Sequence, residues 1–140
     1  HIGIARNIKI NDVGQEHPIY KNKKKLFNSP AFNFDEVVKL PKNGICLASN
    51  TINKVQSLHF TIGETQIWGL QYHPEITYEK MISLIEFRKD KLIQNRKAFR
   101  DEKEIENHIS FIKDEISVSN KPQRMIELKN WLDSINMSRN

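Results

Sequence analysis

Apolar positions change period once along this chain. Up to residue 75 they come in short runs. Residues 3–10 alternate loosely and are rich in Ile. Residues 32–38 lead into Leu40-Pro41-Lys42-Asn43-Gly44, a turn by composition. Residues 45–48 form a short apolar run, and residues 54–62 alternate on Val55, Leu58 and Phe60 until Gly63. Residues 66–72 are the most buried-looking stretch. Such runs, joined by turns and not by helices, predict a β-meander. Between them, Asn11-Asp12-Val13-Gly14 reads as a turn and His17-Pro18-Ile19-Tyr20 as one short helical turn, with exposed lysines after it.

From residue 78 the period is helical. Met81, Leu84, Ile85, Phe87, Leu92 and Ile93 fall mostly on one face over 78–98, with Thr77 as N-cap. Ile105, Ile109, Ile112 and Ile116 make a second stripe over 101–116, and Asp101 with Glu104 has capping-box spacing. A third helix is expected over 122–135, with Pro122 in its first turn and Met125, Leu128, Trp131, Leu132 and Ile135 on one side. Three apolar stripes need a surface to cover, and packing within the chain is the expected one. No internal repeat or low-complexity segment interrupts this order.

Composition narrows the picture. The 140 residues suffice for one packed core, and 38% hydrophobic with 28% charged residues suggests a domain plus a polar helical portion. No stretch approaches the ~18 apolar residues of a membrane span, and no leader is visible, so the expectation is a soluble, cytoplasmic protein without a membrane partner. The single Cys46 fits a reducing compartment. An apolar run starting at Ile2 suggests that the record is truncated upstream. The net charge of +5 is spread over residues 21–25, 88–100 and 121–124, among acids and apolar positions. A solvated basic face is expected there, and no nucleic-acid partner, since no aromatic residues interleave as a stacking platform.

The sharpest chemical signal is His73-Pro74-Glu75, at the end of an apolar run. Pro74 fixes its own φ and biases His73 toward an extended conformation, a bend that can swing a carboxylate back onto the imidazole. A carboxylate on one ring nitrogen sets the tautomer and frees the other nitrogen to accept a proton. Taken alone, a His-x-Glu is far more often a polar turn at a strand end, because such pairs are frequent by chance. Gly44-Ile45-Cys46-Leu47-Ala48 imitates a nucleophile elbow, but a turn precedes it and no helical run follows, so Cys46 is expected to be a buried, inert strand residue. His1, His17, His59 and His108 are dispersed, without metal-ligand spacing. No phosphate loop or G-x-G-x-x-G is present, so no cofactor and no metal is expected.

Trp68-Gly69-Leu70-Gln71-Tyr72-His73-Pro74-Glu75 closely resembles the last active-site motif of the class I glutamine amidotransferase family. Weaker matches keep the family's order: Ile2-Gly3-Ile4, His17-Pro18-Ile19-Tyr20, Asp35-Glu36-Val37 with Leu40-Pro41, and Leu47-Ala48-Ser49-Asn50. The resemblance covers roughly residues 1–90 and points to the branch similar to the amidotransferase part of guanosine monophosphate synthase. It implies an α/β, flavodoxin-like fold with an antiparallel β portion, followed here by a helical extension. The corresponding division is 1–98 for the C-terminal part of an amidotransferase-like domain and 99–140 for the extension. It also implies a Cys-His-Glu triad that hydrolyses the side-chain amide of glutamine and releases ammonia, with His73 as acid/base and Glu75 as its orienting carboxylate. Substrates would be glutamine or another γ-glutamyl amide, and the partner an ammonia-accepting synthetase subunit. Two departures stand out. The family's Gly-x-Cys-x-Gly nucleophile lies upstream of the part matched here, so this fragment alone is expected to be inactive. Asn33 takes the place of a family His that frames the glutamine pocket, which makes it a candidate substrate-binding residue. The competing expectation is a non-catalytic binding or regulatory module that keeps the scaffold.

Overall fold

The computed structural model describes residues 1–139. Five strands form one sheet: β1 (Ala5–Ile10), β2 (Leu26–Ser29), β3 (Ile45–Ser49), β4 (Ser57–Ile62) and β5 (Thr65–Leu70), in the order β2-β1-β3-β4-β5. Every pairing between them is antiparallel. The meander expected from the alternating runs is β3-β4-β5, and β1 with β2 extends it on the other side. Helices α1 (Asp12–Glu16), α2 (Tyr78–Phe87), α3 (Lys89–Gln94), α4 (Glu102–Val118), α5 (Lys121–Arg124) and α6 (Ile126–Met137) complete the chain, with a short 3-10 turn over Pro18–Tyr20. The architecture is mixed α and β.

Two bulges explain why the strand sequences do not alternate cleanly. In β1 the register slips between Ala5↔Ser29 and Ile8↔Phe27, and Asn7 takes φ 53° in the extra position. Asn tolerates this left-handed conformation, and its N–H donates to Asn28 Oδ1 at 2.8 Å. Ala5, Ile8 and Ile10 can then all face inward. A second slip, between Cys46↔Leu58 and Ala48↔Ser57, turns both Leu47 and Ala48 into the core.

Two cores result. One gathers Ala5, Ile8, Ile10, Leu47 and Ala48 of the sheet with Ile19, Tyr20 and Tyr72. The other gathers Ile4 with Tyr78, Ile82 and Ile85 of α2, Leu92 of α3, and Ile105, Ile109 and Ile112 of α4. The caps expected at Thr77 and Asp101 form: Thr77 Oγ1 accepts from Lys80 N at 3.2 Å and Asp101 Oδ1 from Glu104 N at 2.9 Å. Glu104 returns its carboxylate to Arg100 N at 2.7 Å, one residue before the position a capping box uses.

Four expectations need correction. Asn11-Asp12-Val13-Gly14 is no simple turn but opens α1, because Asn11 Oδ1 caps Gly14 N at 2.8 Å. Residues 32–38 form no strand. Only an isolated bridge, Ile2↔Phe32, survives, and Phe32 and Phe34 pack edge-to-face under Arg88 and Arg96. The strand nearest this region is β2, directly after the lysine stretch. The 78–98 helix breaks at Arg88 into α2 and α3, and Phe87 lies exposed. Finally, α6 buries Ile126, Glu127 and Asn130, while Trp131 (47% exposed) and Leu132 (54%) face outward. Polar partners rotate this helix. Glu127 meets Lys23 and Tyr72, and Asn130 Nδ2 donates to the Ile19 and Lys21 carbonyls at 2.8 and 3.0 Å.

Candidate active site

The His73 loop grows out of β5. That strand pairs with β4 without a break from Ile62↔Thr65 to Ser57↔Leu70, and Gln71 N continues the ladder to Gln56 O at 2.8 Å. The sheet curls, so the chain leaving β5 comes back against the residue following β2: His73 N donates to Pro30 O at 2.8 Å. Pro74 is buried, and Ile76 N donates to His73 O at 3.2 Å. This closes a four-residue turn with proline in the position where its fixed φ is favoured. The turn carries Glu75 back over the imidazole, and Glu75 Oε1 lies 2.8 Å from His73 Nδ1.

An ionised carboxylate only accepts, so Nδ1 is the donor and Nε2 of the neutral ring is left bare. The side chains of His73 and Glu75 are 41% and 49% exposed. A pair this wet adds little to stability, at most about 1 kcal/mol. What it supplies is orientation: an imidazole with a fixed tautomer and a basic nitrogen open to a reactant.

Asn33 is held by its surroundings. Its backbone N donates to His1 O at 2.9 Å and its Nδ2 to Asp35 O at 2.8 Å, and its buried Oδ1 has no partner among the described residues. It sits three residues after Pro30, the residue that accepts the His73 N–H. Cys46 lies in β3, as expected, but is half-buried rather than enclosed. Its Sγ lies against the carbonyls of Ala48 (3.4 Å) and Lys54 (3.5 Å), not against His73. Burial pushes its thiol up, the opposite of what a nucleophile needs.

Beside β5, His17 Nε2 and His59 Nδ1 approach to 3.2 Å, with the Trp68 ring edge-on to His17. Burial, and then the neighbouring His59, push His17 down to about 4, so the His17 ring is neutral near pH 7. Among the described residues no three His, Cys, Asp or Glu side chains group to hold a metal ion.

Residues that sequence reasoning passed over surround the loop. Tyr72 OH donates to Glu127 Oε1 at 2.8 Å and contacts Tyr20 OH at 2.8 Å. Burial pushes the Tyr72 hydroxyl well up. Lys23 Nζ reaches Glu127 at 3.1 Å with side-chain exposures of only 3% and 0%. Arg124 Nη1 donates to the carbonyls of Pro74 (2.5 Å) and Ile76 (3.1 Å). Lys23 and Arg124 belong to two of the basic clusters expected to be a solvated face. Their one visible signal was proximity to apolar positions.

No protein-family model matches the chain. Curated relatives do. Over 73 residues the chain is 32% identical to a gamma-glutamyl-L-1-hydroxyisopropylamide hydrolase of Pseudomonas sp., covering 52% of this chain and 24% of the relative. It is 36% identical over 66 residues to a subunit of the glutamine-hydrolyzing GMP synthase of Methanococcus aeolicus, covering 47% and 34%. The corresponding protein of Methanocaldococcus jannaschii matches at 36% over 67 residues, with the same coverage. The chain thus spans about a quarter to a third of the length of these relatives. Over about half of its own length, and at modest identity, it is similar to members of the class I glutamine amidotransferase family.

Proposed function

We propose that this chain supplies the acid–base half of a class I amidotransferase site acting on the side-chain amide of glutamine or of a substituted γ-glutamyl amine. The observation that carries the reading is the 2.8 Å contact between His73 Nδ1 and Glu75 Oε1 on a proline-braced turn, with Nε2 free. A thiol from outside these residues gives its proton to the bare His73 Nε2 and attacks the amide carbonyl as the thiolate, and Nε2–H then passes that proton to the departing nitrogen. The same nitrogen then takes a proton from water as it cleaves the thioester. Glu75 holds the ring in the required tautomer and stabilises the imidazolium. Cys46 is not that thiolate, because its Sγ faces the carbonyls of Ala48 and Lys54. In this reading residues 1–98 are the C-terminal part of a flavodoxin-like domain, and 99–140 extend it. Asn33 borders the substrate, and the ammonia passes to a synthetase subunit in the cytoplasm. The similarity to a hydrolase of a γ-glutamyl alkylamide favours a second substrate choice, a γ-glutamyl amine in place of glutamine, for the same chemistry.

The test uses the complete reading frame. Expected are an upstream Gly-x-Cys-x-Gly, covalent labelling of that cysteine by a thiol-directed glutamine analogue, and glutamate release that falls about 10²–10⁴-fold in His73→Ala. A complete frame with no such cysteine, or full turnover in His73→Ala, refutes the reading and leaves a non-catalytic module.

A further inference from the structure

The helical tail holds the His73 loop by alternate residues. Positions 72, 74 and 76 each bond to the tail, while the reactive side chains at 73 and 75 bond to each other. Tyr72 donates its hydroxyl to Glu127 of α6. Pro74 and Ile76 offer their carbonyls to one nitrogen of Arg124, at the end of α5. Those two carbonyls flank Glu75 in the chain. Any rotation of the Glu75 backbone that would carry its carboxylate off the imidazole moves at least one of them.

The clamp is itself anchored. Asn120 caps α5 through Gln123 N at 3.1 Å. Gln123 is tied back by its carbonyl, which accepts from Lys23 Nζ at 2.5 Å, and by its amide, which donates to Asn22 O at 3.0 Å. Arg124 thus projects from a short helix fastened to the segment before β2, the region whose far end provides Pro30 for His73 N. The loop is gripped on one side by the sheet and on the other by the tail. A guanidinium nitrogen suits this task because its two N–H bonds are held in one plane and can serve two acceptors without reorganising, which a rotating lysine ammonium does less well.

We infer that Arg124 is a positioning residue for the His73–Glu75 pair, and that residues 120–127 form a brace which sets the imidazole tautomer through the turn backbone. This rests on the reading of His73 as the acid–base group. Tautomer and turnover are therefore measured separately.

Arg124→Ala, Arg124→Lys and a control, Lys129→Ala, are compared. Among the described residues, the Lys129 side chain pairs only with Asp133, on the exposed side of α6. In the 140-residue chain, long-range ¹⁵N–¹H spectra of the neutral His73 ring, assigned by its loss in His73→Gln, report the tautomer. The parent and the control show protonated Nδ1 and bare Nε2. In Arg124→Ala the two nitrogens move toward the averaged shifts of a free imidazole, and Arg124→Lys returns part of the difference. In the complete enzyme, Arg124→Ala lowers kcat about 10–100-fold with KM held, the scale expected when a catalytic group is displaced by about 1 Å. A folded Arg124→Ala chain with an unchanged His73 tautomer overturns the inference. If Arg124→Ala fails to fold, Arg124→Gln, which reaches at most one of the two carbonyls, is judged by the same spectra and the same criterion. A collapsed tautomer together with full turnover in His73→Ala keeps the brace and removes the acid–base reading instead.

Discussion

The Lys23–Glu127 pair offers the most demanding prediction. Both side chains are essentially removed from solvent, and burial pushes the Glu127 carboxyl up and the Lys23 ammonium down. Glu127→Leu leaves a buried ammonium with the Gln123 carbonyl at 2.5 Å and the Phe27 ring at 4.4 Å as its remaining company. It also strips the acceptor from the buried Tyr72 hydroxyl. Removing one partner of a buried pair costs about 3–5 kcal/mol, a large share of the ~5–15 kcal/mol that holds a domain together. Lys23→Met leaves the carboxylate with the Tyr72 hydroxyl and its own backbone N–H, without a counter-charge, and falls in the same range. For 140 residues, an unfolding entropy of about 0.3 kcal/mol/K turns a 4 kcal/mol loss into a drop of about 13 °C in Tm. The double variant Lys23→Met/Glu127→Leu removes both charges, and its cost should fall below that of either single change, through a coupling of about 2 kcal/mol or more. Urea unfolding of the four proteins measures this cycle. Additive losses would refute the claim that the two charges are kept in the interior by each other.

Four further variants have expected outcomes. His17 is held at about 4 in the folded chain against about 6.5 when unfolded. The unfolded state therefore binds the extra proton in that window, and stability present above about 6.5 is lost as the pH falls toward 4. In His17→Gln the urea midpoint should vary less with pH over the same interval. Gly14→Ala places a Cβ against the Leu47 carbonyl oxygen, a backbone atom that cannot step aside, and should cost about 3 kcal/mol in chemical denaturation. Ile112→Ala, at a fully buried position of α4, should cost about 2–5 kcal/mol. Leu132→Ser on the outward face of α6 should stay within about 0.5 kcal/mol, and the reverse order would show that α6 is turned the other way.

Where the chain announces its structure, simple side-chain chemistry decides. Thr77 and Asp101 cap their helices because each places an oxygen over orphan amides, and the isoleucine stripe of α4 is buried against Ile4 and the apolar residues of α2 and α3. The turn at His73-Pro74-Glu75 was legible for the same reason, since proline leaves the backbone few options. The hidden features depend on partners distant in sequence. β2 escaped notice because lysines precede it and only Ser29 of its four residues is fully buried. The face of α6 was misread because apolar periodicity assigns no value to Glu127 and Asn130, which bury themselves against Lys23, Tyr72 and two carbonyls far away in the chain. Arg124 was invisible for the same cause: no local pattern reveals a cation whose acceptors are main-chain oxygens some fifty residues earlier.

Gly3 takes φ +84°, and the space a side chain would occupy there is filled by methyl groups of Ile112 and Ile85. The opening residues and the long fourth helix are thus fitted into one another like a tenon and its slot. Cutting the polypeptide at residue 98 would not trim an appendage. It would unroof Ile4, Tyr78 and Ile85 together, and a shortened protein should be sticky and poorly folded rather than merely smaller.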